Sequence, residues 1–276
     1  MKKLIALALA LVMALALAAC GSKASTTGTA SGTTTTAAKQ KLVMGTSADY
    51  APFEFIYLDN AGAQQYAGID ISVANAIADD MGMDLQIENM SFDNLVASLQ
   101  KGDFDIVIAA IEYDEDRAKS ADFSDPYYTD KPPVVIVKAD KASEYSTIES
   151  LNKSEVSVGA QTGTTKLNKA QDTLDKANIV ALQNVQDLVN QLVNNKLDAI
   201  VLDGAVGQGF VDANSALAVS AVDLGASEPY RVLVAKGDPK GLLPGINAAI
   251  AKITQGDTIS GYEDLAASLS GKQVQN

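Results

Sequence analysis

The sequence contains no histidine, one cysteine and only two arginines, Arg117 and Arg231. Without histidine, Ser-His-Asp and Cys-His catalysis are out of reach. With a lone cysteine, so are His or Cys metal sites and any internal disulfide. A GxxxxGK[ST] phosphate loop is also missing, which excludes ATP hydrolysis within this polypeptide. Carboxylates, lysine, tyrosine and hydroxyls remain. That set suits binding better than catalysis, and no cofactor is implied. With 34 acids against 21 basic residues, a net charge of -13 makes nucleic acid a poor partner.

What is present begins with "MKKLIALALALVMALALAACGS". Two lysines precede an apolar run from Leu4 to Ala19, shorter than the roughly 20 residues of a spanning helix. Residues 1–19 therefore read as a secretory signal. The "LAAC" that closes it resembles the lipobox at which bacterial signal peptidase cuts before a lipid-modified cysteine, which makes Cys20 the expected anchor to the outer face of the cell membrane. The two acyl chains of a diacylglyceryl group hold a protein firmly where one would not. Residues 20–40 are almost all Gly, Ser, Thr and Ala, the composition of a flexible tether. Removing 1–19 deletes Lys2 and Lys3 and no acids, moving the charge from -13 to -15.

From Lys41 short aliphatic runs alternate with amphipathic segments. "KLVMGTS" reads as a strand, and "GIDISVANAIADDMG" as a helix with Ile69, Val73, Ile77 and Met81 on one face, stopped by Gly82. "DLQIENM", "FDNLVASLQKG" and "DFDIVIAAI" continue as strand, helix, strand, which predicts an α/β lobe with a parallel sheet. The pattern recurs. Laying 92–110 over 185–203 pairs Leu95 with Leu188, Val96 with Val189, Leu99 with Leu192 and Asp105 with Asp198, and "LVMGTS" from Leu42 falls over "VSVGAQ" from Val156. Two proline-marked apolar runs, "DKPPVVIVKAD" and "GASEPYRVLVAKGDP", predict two crossings. Lobe 1 would hold 41–135 and 230–276 and lobe 2 would hold 140–226, with hinges near 135–139 and 226–230. In such sheets ligands lie beyond the carboxyl ends of the strands and between domains, which directs attention to Ser47, to 109–112, to 161–165 and to Asp203.

In order and spacing, "TSADYAPFEF", "GIDISVANAIADDMG", "MSFDNLVASLQKGDFDIV", "DEDRAKSADFSDPYY", "VGAQTGTT" and "LDAIVLD" resemble the family 3 extracellular solute-binding proteins, which deliver polar amino acids to ABC importers. The resemblance implies a two-lobed, type II periplasmic-binding-protein-like fold. It also implies a free amino acid as ligand, held at its α-carboxylate and α-ammonium, and as partner a permease with a separate ATPase subunit. It makes Arg117 the carboxylate-binding residue, a role that suits a planar guanidinium fork. "TGTT", with Thr162, Thr164 and Thr165, becomes a second carboxylate clamp at a helix N-terminus. Asp203 and the Ala110 carbonyl would bind the ammonium, and Tyr50 and Phe92 would cover the ligand side chain.

Two positions depart from the family's pattern. Glu112 stands where threonine or serine is usual, and Ser47 where many members carry aspartate. Three roles for Glu112 remain open: holding the second charge of a basic ligand such as arginine, lysine or ornithine, replacing threonine at the α-ammonium of a neutral one, or turning to solvent or pairing with Arg117. The C-terminal "GLLPGINAAIAKITQGDTISGYEDLAASLS" fits the family's closing helices without their usual aromatic end. Other functions on this fold are an exported enzyme similar to the cyclohexadienyl dehydratases, with Glu112 as general acid, and an amino acid receptor domain coupled to a sensor.

Overall fold

The computed structural model describes residues 39–274. The signal segment 1–19, Cys20 and nearly all of the tether 20–40 lie outside the described residues. From Lys41 the chain forms β1 (Lys41–Thr46), a small three-stranded sheet of β2 (Asp49–Tyr50), β3 (Glu54–Leu58) and β4 (Gln64–Ala67), then α1 (Ile69–Asp80), β5 (Asp84–Asn89), α2 (Leu95–Lys101), β6 (Ile106–Val107), α3 (Glu115–Ala118) and β7 (Ala121–Tyr128). It continues through β8 (Val134–Lys138), α4 (Ile148–Leu151), β9 (Ser157–Gln161), α5 (Thr165–Thr173), β10 (Asn178–Leu182), α6 (Val185–Val193), β11 (Ala199–Leu202), α7 (Gly204–Ala213) and β12 (Leu217–Val219). β13 (Tyr230–Ala235), α8 (Leu243–Ile253) and α9 (Thr258–Ser270) complete it.

Two five-stranded sheets give two lobes, with strand orders β5-β1-β6-β13-β7 and β10-β9-β11-β8-β12. The first three strands of each are parallel, as the alternation of strands and helices predicts. The other two in each sheet run antiparallel to their neighbours. These are the strands attached to the passages between sheets, from Tyr128 to Val134 and from Val219 to Tyr230. The run 134–138, expected at a crossing, is itself the antiparallel partner of β11, because Val135, Ile136 and Val137 are all fully buried and a strand apolar on both faces needs cover on both. On the return, α8 packs against α1 and β7, and α9 against α1 and β3.

The internal repeat is reproduced at the level of single bonds. Val43 N–H donates to the Asp105 carboxylate at 2.7 Å while Asp105 N–H donates to Val43 O at 2.8 Å. In the other lobe Ser157 N–H donates to the Asp198 carboxylate at 2.8 Å and Asp198 N–H to Ser157 O at 2.9 Å. Both pairs match the two sequence correspondences, and both lie at the amino ends of the parallel strands. α1 buries Ile69, Val73 and Ile77 as its periodicity predicts, and it starts at Gly68, whose φ of 128° is open to glycine.

Candidate functional site

At the carboxyl ends of both sheets the expected residues converge. Ser47 follows β1, Ala110 and Glu112 follow β6, Thr164 and Thr165 open α5 beyond β9, and Asp203 follows β11. With Tyr50, Phe92 and Arg117 they line one cleft, joined there by Asp49, Glu54, Gln161 and Lys166. The lobes are shut on one another and leave a cavity of about 10 Å³, where ligand pockets measure several hundred. Thr162 does not line the cleft. Its N–H donates to Leu182 O at 2.9 Å, continuing the β9–β10 ladder.

Each side chain is held by identifiable partners. Asp114 caps α3, its carboxylate accepting from the N–H groups of Asp116 and Arg117 at 3.0 Å, and so aims Arg117 inward. The half-buried guanidinium donates to Glu112 O at 3.0 Å and, across the cleft, to Gly163 O at 2.7 Å, with its carbon 5.3 Å from the centre of the Phe92 ring. Burial pulls the pKa of this group down, opposed by Asp114, Glu112 and Asp203. Tyr50 reaches between lobes: its hydroxyl donates to Asp203 Oδ2 at 2.7 Å and accepts from Asp203 N–H at 3.2 Å. Thr164 is occupied as the N-cap of α5, accepting from Leu167 N–H at 3.1 Å. Ser47 donates to Asp49 at 3.2 Å.

Glu112 is buried and faces neither solvent nor the Arg117 guanidinium with its carboxylate. One oxygen accepts from the Thr165 hydroxyl. The other accepts from Glu228 N–H at 3.2 Å and meets the Lys166 ammonium at 2.8 Å. Lys166 also contacts Asp203 Oδ1 and stands 5.9 Å over the Tyr230 ring. The positive charge that two neighbouring carboxylates demand is supplied by the chain itself.

The family model for bacterial extracellular solute-binding proteins, family 3, matches residues 42–264. The chain belongs to this family. It is 32% identical over 214 residues, 77% of each chain, to a probable histidine-binding protein of Neisseria gonorrhoeae. It resembles the crystal structure of an amino acid ABC transporter substrate-binding protein from Streptococcus pneumoniae bound to L-arginine, with a TM-score of 0.79 and 35% identity over 85% of this chain and 95% of that one. A cyclohexadienyl dehydratase of Pseudomonas aeruginosa is 29% identical over 163 residues, 59% of each chain.

Four cleft or sub-cleft residues, three of them inside the quoted motifs, escaped the sequence reading. Asp49 links the lobes, its carboxylate accepting from Val185 N–H at 3.1 Å where α6 begins, and burial raises its pKa. Asp70 lies beneath Ala110. It accepts from Ala110 N–H at 2.6 Å and from the Tyr127 hydroxyl at 2.8 Å. Those bonds hold Ala110 at φ 46°, a left-handed conformation that is unfavourable by roughly 1 kcal/mol for a residue with a Cβ. Glu54 is buried beside Asp70, whose charge adds to burial in raising its pKa. The fourth is Lys166, which sits in the first turn of α5, where the helix dipole disfavours a cation; that mismatch was the available signal.

The buried acids set a pH dependence. Burial pushes Asp70 up to about 6 from 3.8, and Glu54 well above its usual value, with Asp70 the next cause. Between pH 4 and 6 the folded state therefore binds more protons than the unfolded state. Stability falls as pH rises through that window; the share from Asp70 is complete above about 6, and the share from Glu54 continues beyond it. The protein is expected to melt higher at pH 5 than at pH 7.5. In Asp70→Asn the rise should shrink, by an amount corresponding to roughly 1 to 1.5 kcal/mol, since only the part of the shift above pH 5 is crossed. Parallel pH–melting curves for the two proteins would contradict the assignment.

Proposed function

We propose that this chain is the substrate-binding protein of an amino acid ABC importer. Anchored by lipid at Cys20 outside the cytoplasm, it captures a polar amino acid between its lobes and presents the closed form to a permease served by a separate ATPase subunit. The observation that carries this reading is the convergence of Arg117 from one lobe with Thr165 and Asp203 from the other around one closed cleft. Two of the Arg117 N–H groups are engaged by carbonyls; the guanidinium has five donors, so three remain for a ligand carboxylate. Asp203 and the Ala110 carbonyl take the α-ammonium. Only the closed arrangement engages both groups of one ligand, so ligand shifts the population toward closure.

A dehydratase reading would need Glu112 to donate a proton, whereas both of its oxygens are engaged as acceptors. Binding without turnover fits that arrangement better. The test is a thermal-shift screen of the twenty amino acids plus ornithine. A ligand at 100 times its Kd adds about 2.7 kcal/mol, which for lobes of this size corresponds to roughly 5 to 10 °C. A flat response to the whole panel would remove the proposal.

A further inference from the structure

We infer that Lys166 is a specificity-determining residue of the cleft: its ammonium, tethered between Glu112 and Asp203, takes the place a cationic ligand would otherwise fill, so the site favours amino acids with uncharged side chains over basic ones. The inference rests on the amino acid reading given above and deepens it.

Lys166 is only 4% exposed, and lysine is almost never buried unless paired. It stands at the second residue of α5, behind the Thr164 cap, where the helix dipole opposes a cation. Only a stronger attraction from outside the helix holds it there. That attraction comes from two carboxylates on different lobes: Glu112 at 2.8 Å, carried on the loop after β6, and Asp203, at the end of β11. The Tyr230 ring face covers it from the base of the cleft.

The consequence for ligand choice follows from counting ionisable groups that line the cleft. Arg117 and Lys166 are cations; Glu112, Asp203, Asp49 and Glu54 are acids. Of the acids, Asp49 is already bonded to Ser47 and to the start of α6. Glu54 lies beneath the cleft with Asp70, and burial favours its protonated form. Glu112 and Asp203 are the two that face the ligand volume, and two protein cations already match them. A zwitterionic amino acid with a neutral side chain adds no net charge. A guanidinium or second ammonium adds one with no free carboxylate to receive it, and burying an unpaired charge is strongly unfavourable. Lys166 thereby answers the question left by Glu112. The acid is present because the lysine is, and it does not select a second positive charge on the ligand.

Calorimetric titration of wild type, Lys166→Met and Glu112→Gln with glutamine, arginine and glutamate decides the matter. Wild type is expected to bind glutamine more tightly than arginine. Lys166→Met, which frees two carboxylates, should move the ratio of the two Kd values toward arginine by about tenfold or more. Glu112→Gln removes an acid without changing shape and should move the ratio the other way, so the inference stays testable even if the lysine variant folds poorly. A ratio unchanged in both variants, or tighter binding of arginine or glutamate by wild type, overturns the inference and leaves the amino acid reading standing. Wild type that binds no amino acid in this titration or in the screen overturns both.

Discussion

Replacing Arg117 by alanine should weaken amino acid binding by roughly two orders of magnitude or more, since truncating one partner of a buried charge pair costs about 3 to 5 kcal/mol. Two losses combine. The ligand carboxylate loses its fork of donors, and the bond from the guanidinium to Gly163 O, which ties one lobe to the other, disappears with it. Arg117→Lys should recover little, because an ammonium is a point charge and cannot span a carboxylate, Glu112 O and Gly163 O from one plane. The contact of the guanidinium with the Phe92 ring is lost in the alanine variant. The measurement is a calorimetric titration with whichever amino acid gives the largest thermal shift, and a Kd within threefold of wild type for Arg117→Ala would remove Arg117 from the site.

A second large effect lies away from the ligand. Gly68→Ala should destabilise the fold by about 4 kcal/mol or more, at the upper end of what single substitutions do. A Cβ at this position would stand 2.0 Å from Phe53 O and 2.5 Å from Phe53 C, both backbone atoms that cannot swing aside, and φ of 128° is itself closed to L side chains. The same residue starts α1, and Asp70 lies two residues on. Relief by local shift would therefore drag the carboxylate that holds Ala110. Urea unfolding gives the stability and the thermal-shift screen gives the function. A variant that unfolds at the wild-type midpoint would mean that the turn at Gly68 is far softer than its contacts imply.

Much of this was legible in the sequence for physical reasons. Strand and helix periods are short-range signals, and the fully apolar β11 and the amphipathic α6 carry them strongly. The repeat was legible because both lobes solve one packing problem in the same way, down to Asp105 and Asp198. Ser47, Ala110, Glu112, Thr164, Thr165 and Asp203 were legible from strand ends, where topology decides position, whereas Arg117, Tyr50 and Phe92 were legible only through the family resemblance. What escaped depends on tertiary context. Asp70 lies in the first turn of α1, where an acid reads as a favourable dipole contact on a solvated face, yet it is completely buried beneath Ala110. The antiparallel strands β8 and β13 are largely apolar runs whose direction is set by the crossings between sheets. Lys166 reads as one charge in an amphipathic helix until Glu112 and Asp203 arrive from elsewhere in the chain.

The paired braces at Asp105 and Asp198 have a consequence for how such a protein can change over time. Each fastens its sheet at the edge farthest from the ligand, using only residues of its own lobe. The edge that recognises ligand is built from loops that carry little of that fastening. Changes around the cleft leave these two braces untouched, so the frame beneath is shielded from them, while the buried Glu112–Lys166 pair is one that has to change together.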